Sequence, residues 1–257
     1  MEIKAKKSLG QNFLKDENIL NKIISSVNVT YDDLIIEIGP GKGALTKKLK
    51  TLGCDIVAFE IDERMKPVLR ELEDEKTTIV FKDFLSINLE EFLISKYNNI
   101  HVVANIPYYI TNPIINKLLE SKMIISDITL MVQNEVADRL SSLPGSKSYG
   151  ALTIFSNLKY DVKKLFVVPK YSFDPVPKVD SAIVKFIYNN KYDIKDIDKF
   201  SKLINDSFQM KRKTLKNNLK LYDWNKVLQV LKSYNLNDNI RAEQIPLDVF
   251  VELYNNL

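Results

Sequence analysis

The chain has 257 residues, 45% hydrophobic and 27% charged, with a formal net charge of +4. That length allows one large core with a smaller attached unit. No apolar run approaches the roughly 20 residues of a membrane span, no apolar stretch follows Lys4, Lys6, Lys7 and Lys15 to make a signal peptide, and the single Cys54 has no disulfide partner, so a cytoplasmic protein without membrane association is expected.

Residues 17–27 (ENILNKIISSV) predict a short helix with Ile19, Ile23 and Ile24 inward. Residues 34–38 (LIIEI) form a short apolar run ending at glycines, the mark of a buried parallel strand. After Gly43, apolar residues at Leu45, Leu49 and Leu52 have helical spacing. Residues 55–60 (DIVAFE) predict a second strand and 63–73 a helix despite Pro67. Residues 77–82 predict a third strand and 100–104 (IHVVA) a fourth. A helix is expected from Pro113 onward, with proline in its first turn, and residues 125–132 predict a fifth strand.

Helices are expected at 133–141 and 149–158, and strands at 161–168 and 179–187, paired at the sheet edge. Between those strands, residues 169–178 carry Pro169, Pro175 and Pro177 and predict a rigid loop rather than a regular element. From Ile197 the pattern is helical, with Leu203, Ile204, Ser207 and Phe208 on one face, continued by Leu215 and Leu219. The composition shift at Asn189-Asn190 suggests a boundary near 188–196, dividing the chain into 1–188 and 189–257.

Strands alternating with helices imply a mainly parallel α/β sheet, which binds ligands beyond the carboxyl ends of its strands. Unusual residues fall in those loops. Glu37-Ile38-Gly39-Pro40-Gly41-Lys42-Gly43 follows the first strand, Glu60 closes the second and Asp83 follows the third. Glycines let backbone approach a ligand, Glu60 can accept from two ribose hydroxyls, and Asp83 or its neighbours can address an adenine edge. A nicotinamide dehydrogenase needs G-x-G-x-x-G, whereas this spacing is G-x-G-x-G. An adenosine-bearing ligand without a pyrophosphate grip suits the set better.

Asn105-Ile106-Pro107-Tyr108-Tyr109 follows the fourth strand. The Asn105 side-chain oxygen and the Ile106 carbonyl are two acceptors suited to one exocyclic amine, Pro107 fixes the turn, and Tyr108 offers a flat face to a base. Both acceptors would favour the positive charge that develops on an attacking amino nitrogen, so the motif fits amino-group methylation with little acid–base apparatus. No His/Cys/Asp cluster suggests a metal, and His101, within the fourth strand, is expected to be structural. Lys211, Arg212, Lys213, Lys216 and Lys220 form a basic run without acids, suited either to a solvated helix face or to a phosphate backbone.

Residues 11–14 (QNFL), 37–43 and 105–108, the pattern Phe173-x-Pro175-x-Pro177-x-Val179-x-Ser181, and residues 208–219 (FQMKRKTLKNNL) together resemble the KsgA (RsmA) family of rRNA adenine dimethyltransferases, relatives of the Erm methyltransferases. The resemblance runs nearly end to end. It implies a Rossmann-like class I methyltransferase sheet with a smaller C-terminal helical domain for rRNA recognition, S-adenosylmethionine as donor and S-adenosylhomocysteine as product. It assigns Asn12 and Leu14 to enclosing the cofactor, Gly39, Glu60, Asp83 and Asn105 to binding it, and Tyr108 and Phe173 to sandwiching a flipped base. It places Lys211, Arg212, Lys213 and Lys216 on RNA, with Lys211-Arg212 where the family often has two arginines. The implied substrate is a pair of adjacent adenosines in the 3′-terminal hairpin loop of small-subunit rRNA, within a partly assembled 30S particle. A monomer is expected. An Erm-type enzyme acting on large-subunit rRNA, or a noncatalytic nucleic-acid binder on the same fold, are the alternatives.

Overall fold

The computed structural model describes residues 3–92 and 97–257. The chain opens with a two-residue strand β1 (Phe13–Leu14) and helix α1 (Glu17–Ser25), whose start is capped by the Asp16 carboxylate. The alternation that follows is β2 (Leu34–Ile38), α2 (Ala44–Leu49), β3 (Asp55–Phe59), α3 (Lys66–Leu69), β4 (Thr77–Val80), α4 (Leu89–Phe92), β5 (Ile100–Asn105), α5 (Thr111–Glu120) and β6 (Asp127–Gln133). Next come α6 (Asn134–Leu140), α7 (Ala151–Lys159), β7 (Tyr160–Val168), β8 (Phe173–Asp174) and β9 (Ser181–Tyr188). Helices α8 (Ile197–Phe208), α9 (Leu215–Asn218), α10 (Trp224–Ser233) and α11 (Leu247–Asn256) complete the chain.

Among the described residues the main sheet has the order β4-β3-β2-β5-β6-β9-β7. Strands β4 to β6 run parallel, and β9 joins β6 antiparallel. Every residue of β2 is buried, as a central strand covered on both faces must be. The register sets Ile38 beside Phe59 on one side and Ala104 on the other, so the loops after β2, β3 and β5 emerge together. His101 lies toward the opposite ends of the strands, buried between Asp127 at 3.0 Å and Asp33 at 3.6 Å, with Lys185 3.4 Å from Asp127.

Three expectations are corrected. Residues 63–73 are not one helix but a 3₁₀ turn, the single α turn of α3 and a second 3₁₀ turn, because Pro67 removes an amide from any continuous ladder. The 169–178 segment is not wholly irregular, since Phe173-Asp174 forms β8 and pairs antiparallel with Phe13-Leu14. The division of the chain is not a single cut near 188–196. One compact unit comprises residues 1–137 and 163–188, and the other 138–162 and 189–257. Tyr149, Ile154 and Leu158 belong to the same buried cluster as Phe200, Leu203, Ile204 and Phe250, and Phe155 meets Phe200 edge-on at 6.4 Å. The α7 segment therefore buries its apolar stripe among the C-terminal helices.

Candidate active site

The first unit contains a cavity of about 480 Å³ at the carboxyl ends of β2 to β5. Asn12, Leu14, Gly39, Glu60 and Asp83 line it, as do Asn105, Ile106, Pro107, Tyr108 and Phe173. Residues from Asn12 to Phe173 thus meet on one void, because four parallel strands end beside one another and the β1–β8 pair adds Leu14 and Phe173.

The floor is the glycine loop. Gly39 has φ +72° and its amide donates to the Phe59 carbonyl at 2.9 Å. A side chain there would stand 3.7 Å from the Asn105 backbone oxygen, so the loops after β2 and β5 are packed together. Gly41 has φ +57°, and a Cβ at this position would lie 3.1 Å from the Phe13 ring. Left-handed backbone and lack of room both call for glycine.

Glu60 is 4% exposed. Its Oε2 accepts from the Gly41 amide at 2.9 Å and its Oε1 from the Asp62 amide at 2.8 Å. Burial raises its pKa, and these amide bonds partly oppose the rise. Both oxygens are oriented before any ligand arrives, and each retains acceptor capacity. Asp83 is exposed and caps the following 3₁₀ turn by accepting from the Leu85 amide at 2.9 Å. The next residue, Phe84, is buried against Phe59 edge-on at 5.6 Å and adds an apolar wall.

Glu37 was part of the sequence motif but had no role assigned to it. It is fully enclosed, neither carboxylate oxygen has a hydrogen-bond partner, and it lines the cavity. Burial pushes its pKa up to about 8, opposed in part by the nearby Thr46 hydroxyl and reinforced by the charge of Glu60. A buried acceptor without a partner is costly, and a cationic ligand would relieve that cost.

At the other end, Asn105 turns its Nδ2 toward the Asn12 carbonyl at 3.5 Å, which leaves Oδ1 as the acceptor for a ligand. Ile106 is buried, so its carbonyl is held by packing. The Pro107 carbonyl accepts from the Ile110 amide at 3.1 Å and closes the turn. Tyr108 is half-buried, and its hydroxyl meets the Ser181 hydroxyl at 2.9 Å. Burial raises its pKa, so it stays neutral. The ring is therefore fixed at its far edge.

Phe173 opens β8. It lines the cavity but is only 2% exposed, packed in a core with Leu14, Ile19 and Val168. Pairing of β1 with β8 sets Phe173 beside Leu14.

A strap formed by the residues before α1 crosses the cavity. Gln11 Nε2 donates to Asp62 Oδ2 at 2.7 Å. The Arg64 guanidinium, and after it Gln11, hold the Asp62 carboxyl down at about 2. Lys42 Nζ sits 4.7 Å from the centre of the Phe13 ring. Sequence reasoning placed Gln11 only within the QNFL motif and did not find Asp62 or Arg64, because the Gln11–Asp62 link is a side-chain contact across 51 residues.

The basic residues lie in the second unit. Lys211, Arg212 and Lys213 are exposed in the turn after α8, and Lys216 is exposed on α9. They occupy a turn and one short helix rather than the face of one long helix. Lys211 Nζ donates to the Lys147 carbonyl at 2.8 Å, and Lys216 lies over the Trp224 ring at 5.6 Å. Among the described residues no group of three His, Cys, Asp or Glu side chains could hold a metal, and no helix is long and apolar enough to cross a membrane.

The family model described as Ribosomal RNA adenine dimethylase matches residues 2–257. Ribosomal RNA small subunit methyltransferase A of Clostridioides difficile (strain 630) is 40% identical over 261 residues, covering 98% of this chain and 90% of that protein. The protein of the same name from Mesoplasma florum is 39% identical, with 99% of each covered. Among solved structures, a dimethyladenosine transferase from Plasmodium falciparum matches with a TM-score of 0.80 and 29% identity, covering 93% of this chain and 95% of that one. The 23S rRNA methyltransferase ErmE matches with a TM-score of 0.77 and 24% identity, covering 96% and 99%, a likeness of fold.

Proposed function

The chain belongs to the ribosomal RNA adenine dimethylase family and is an S-adenosylmethionine-dependent rRNA adenine methyltransferase, and from that premise we propose that its targets are two adjacent adenosines in the 3′-terminal hairpin loop of small-subunit rRNA. The substrate is the RNA within a partly assembled 30S particle in the cytoplasm, and each adenosine receives two methyl groups on N6. Near-full-length relatives named for the small subunit support this choice.

One observation carries the reading. The Asn105-Ile106-Pro107-Tyr108 turn is packed on the glycine loop, in the same cavity as Glu37, Glu60 and Asp83. The residues fit the methyl donor. Glu37 is a buried acid without a hydrogen-bond partner, which a cationic ligand would hold ionised, Glu60 is pre-oriented for ribose hydroxyls, and Asp83 with Phe84 borders the adenine position. Asn12 and Leu14 cover it. S-adenosylmethionine supplies a methyl group already activated by its sulfonium charge.

The protein then has to position and polarise the amine. Asn105 Oδ1 and the Ile106 carbonyl accept hydrogen bonds from its two N–H groups, drawing the nitrogen lone pair out of conjugation with the ring and stabilising the charge formed on attack, and one proton leaves to water after each transfer. Alignment within the cavity supplies much of the remaining rate. Tyr108, tied to Ser181, gives the base a fixed face, worth roughly 1–3 kcal/mol toward the cost of extruding it. Phe173 gives a second face when its ring turns away from Leu14. After two methyl transfers the nitrogen has no proton left for either acceptor, which ends the reaction. Lys211, Arg212, Lys213 and Lys216 bind the RNA backbone.

The test is methylation of immature small subunits with labelled donor, followed by nucleoside mapping. Dimethyladenosine at two neighbouring positions near the RNA 3′ end is the expected result. Label confined to large-subunit RNA would overturn it.

A further inference from the structure

We propose that Asp62 is a positioning residue for cofactor retention: with Gln11 and Arg64 it forms a clasp that holds the N-terminal strap closed over the donor site. The proposal rests on the methyl-donor reading of the cavity and extends it to residues that do not line the reacting end.

Asp62 is 5% exposed and lies two residues beyond Glu60. Its backbone amide donates to Glu60 Oε1 at 2.8 Å. Its side chain faces the strap. Oδ2 accepts from Gln11 Nε2 at 2.7 Å and from Arg64 Nη2 at 2.6 Å, and Oδ1 accepts from Arg64 Nε at 2.9 Å. Gln11 Oε1 in turn accepts from the Lys6 amide at 2.8 Å and from Arg64 Nη2 at 3.4 Å. Arg64 Nη1 reaches the Lys4 carbonyl at 3.3 Å. One short turn after β3 therefore orients Glu60 and fastens the strap at Lys4, Lys6 and Gln11.

The strap needs such fastening. Between Ile3 and Leu14 it has only a three-residue 3₁₀ turn and the two residues of β1, too little to hold a shape by local structure alone. Its far end is fixed by the β1–β8 pairing, by the Lys15 amide on the Ser172 carbonyl at 3.0 Å, and by Ser172 Oγ on Asp16 Oδ2 at 3.0 Å. Between the anchors, Asn12 meets Asn105 and Phe13 lies over Gly41. Releasing the Asp62 end frees the cover above Glu60 while the β8 end stays attached. Because the Gln11–Asp62 bond has a charged acceptor, its loss shifts an open–closed equilibrium by roughly tenfold or more. A cover that opens more often releases ligand faster.

The experiment is calorimetric titration of S-adenosylmethionine into the wild-type chain, Gln11→Ala, Asp62→Asn and the double variant. Gln11→Ala keeps the Asp62–Arg64 pair and guards against a general loss of fold. The expected result is about tenfold weaker binding in each single variant and no further loss in the double variant, since both break one clasp. Trypsin should cut faster among Lys4, Lys6, Lys7 and Lys15, and the kinetic loss should appear in the KM for the donor rather than in kcat. Affinities of both single variants within twofold of wild type, or fully additive losses, would overturn the clasp. Failure of the wild-type chain to bind the donor would instead overturn the reading of the cavity.

Discussion

Glu37 and Glu60 place two buried carboxylates at the ends of adjacent parallel strands, and the charge on Glu60 adds to the burial that raises the Glu37 pKa to about 8. Below the ordinary value of 4.5, folded and unfolded chains both hold the Glu37 proton. Between 4.5 and about 8 only the folded chain keeps it, so each rise in pH favours unfolding. Above about 8 that contribution is gone. Thermal melts of the ligand-free protein from pH 5 to 9 should show a falling midpoint, and Glu37→Gln should flatten the fall. Parallel profiles for the two proteins would assign the pH dependence to other groups.

Asn105→Ala tests the paired acceptors. The side chain contacts the strap through one weak bond to Asn12, so little of the fold depends on it. By analogy with removal of one pre-oriented polar group from a reacting centre, the single-turnover rate should fall about 10²–10³-fold. Filter binding of RNA should change little by comparison. An equal fall in both would make Asn105 an RNA-affinity residue.

Phe173 has to be tested against its place in the core. Phe173→Ala should cost about 3–5 kcal/mol of stability, as large-to-small changes at buried aromatics do, and its activity would then say nothing about stacking. Phe173→Leu keeps most of the apolar contact with Leu14, Ile19 and Val168. If the ring turns to meet the base, this variant should bind the donor normally and lose roughly 5–150-fold in methyl transfer, the equivalent of about 1–3 kcal/mol of stacking. Unchanged transfer would leave Phe173 a core residue only.

The contrast between Asn105 and Phe173 shows what the sequence made legible. Parallel β/α alternation puts the residues after β2, β3, β4 and β5 at one edge, so Gly39, Glu60, Asp83 and Asn105 could be grouped from period and order alone. Phe173 depends on the pairing of a proline-rich segment with residues 13–14, a long-range contact with no local signature. The same holds for Asp62 and Gln11, and for α7, whose helical period was legible but whose partner helices begin only at Ile197. Glu37 was visible as a motif residue; that its oxygens lack partners is a property of packing.

The last test concerns the basic turn of the second unit. Arg212 and Lys213 are exposed, whereas Lys211 is engaged with the Lys147 carbonyl and Lys216 with the Trp224 ring. A phosphate contact releases counterions, so neutralising one such residue lowers the slope of log K against log salt by about 0.7–0.9. Arg212→Ala and Lys213→Ala should each weaken RNA binding and flatten the slope by that amount. Lys211→Ala should do the same only if its ammonium leaves Lys147 for a phosphate, which makes its slope a measure of that rearrangement. Methyl transfer at saturating RNA should be nearly unaffected in all three, because the residues proposed to carry the transfer lie in the first unit. Unchanged slopes across the series would remove this turn from the RNA interface and leave it a solvated surface.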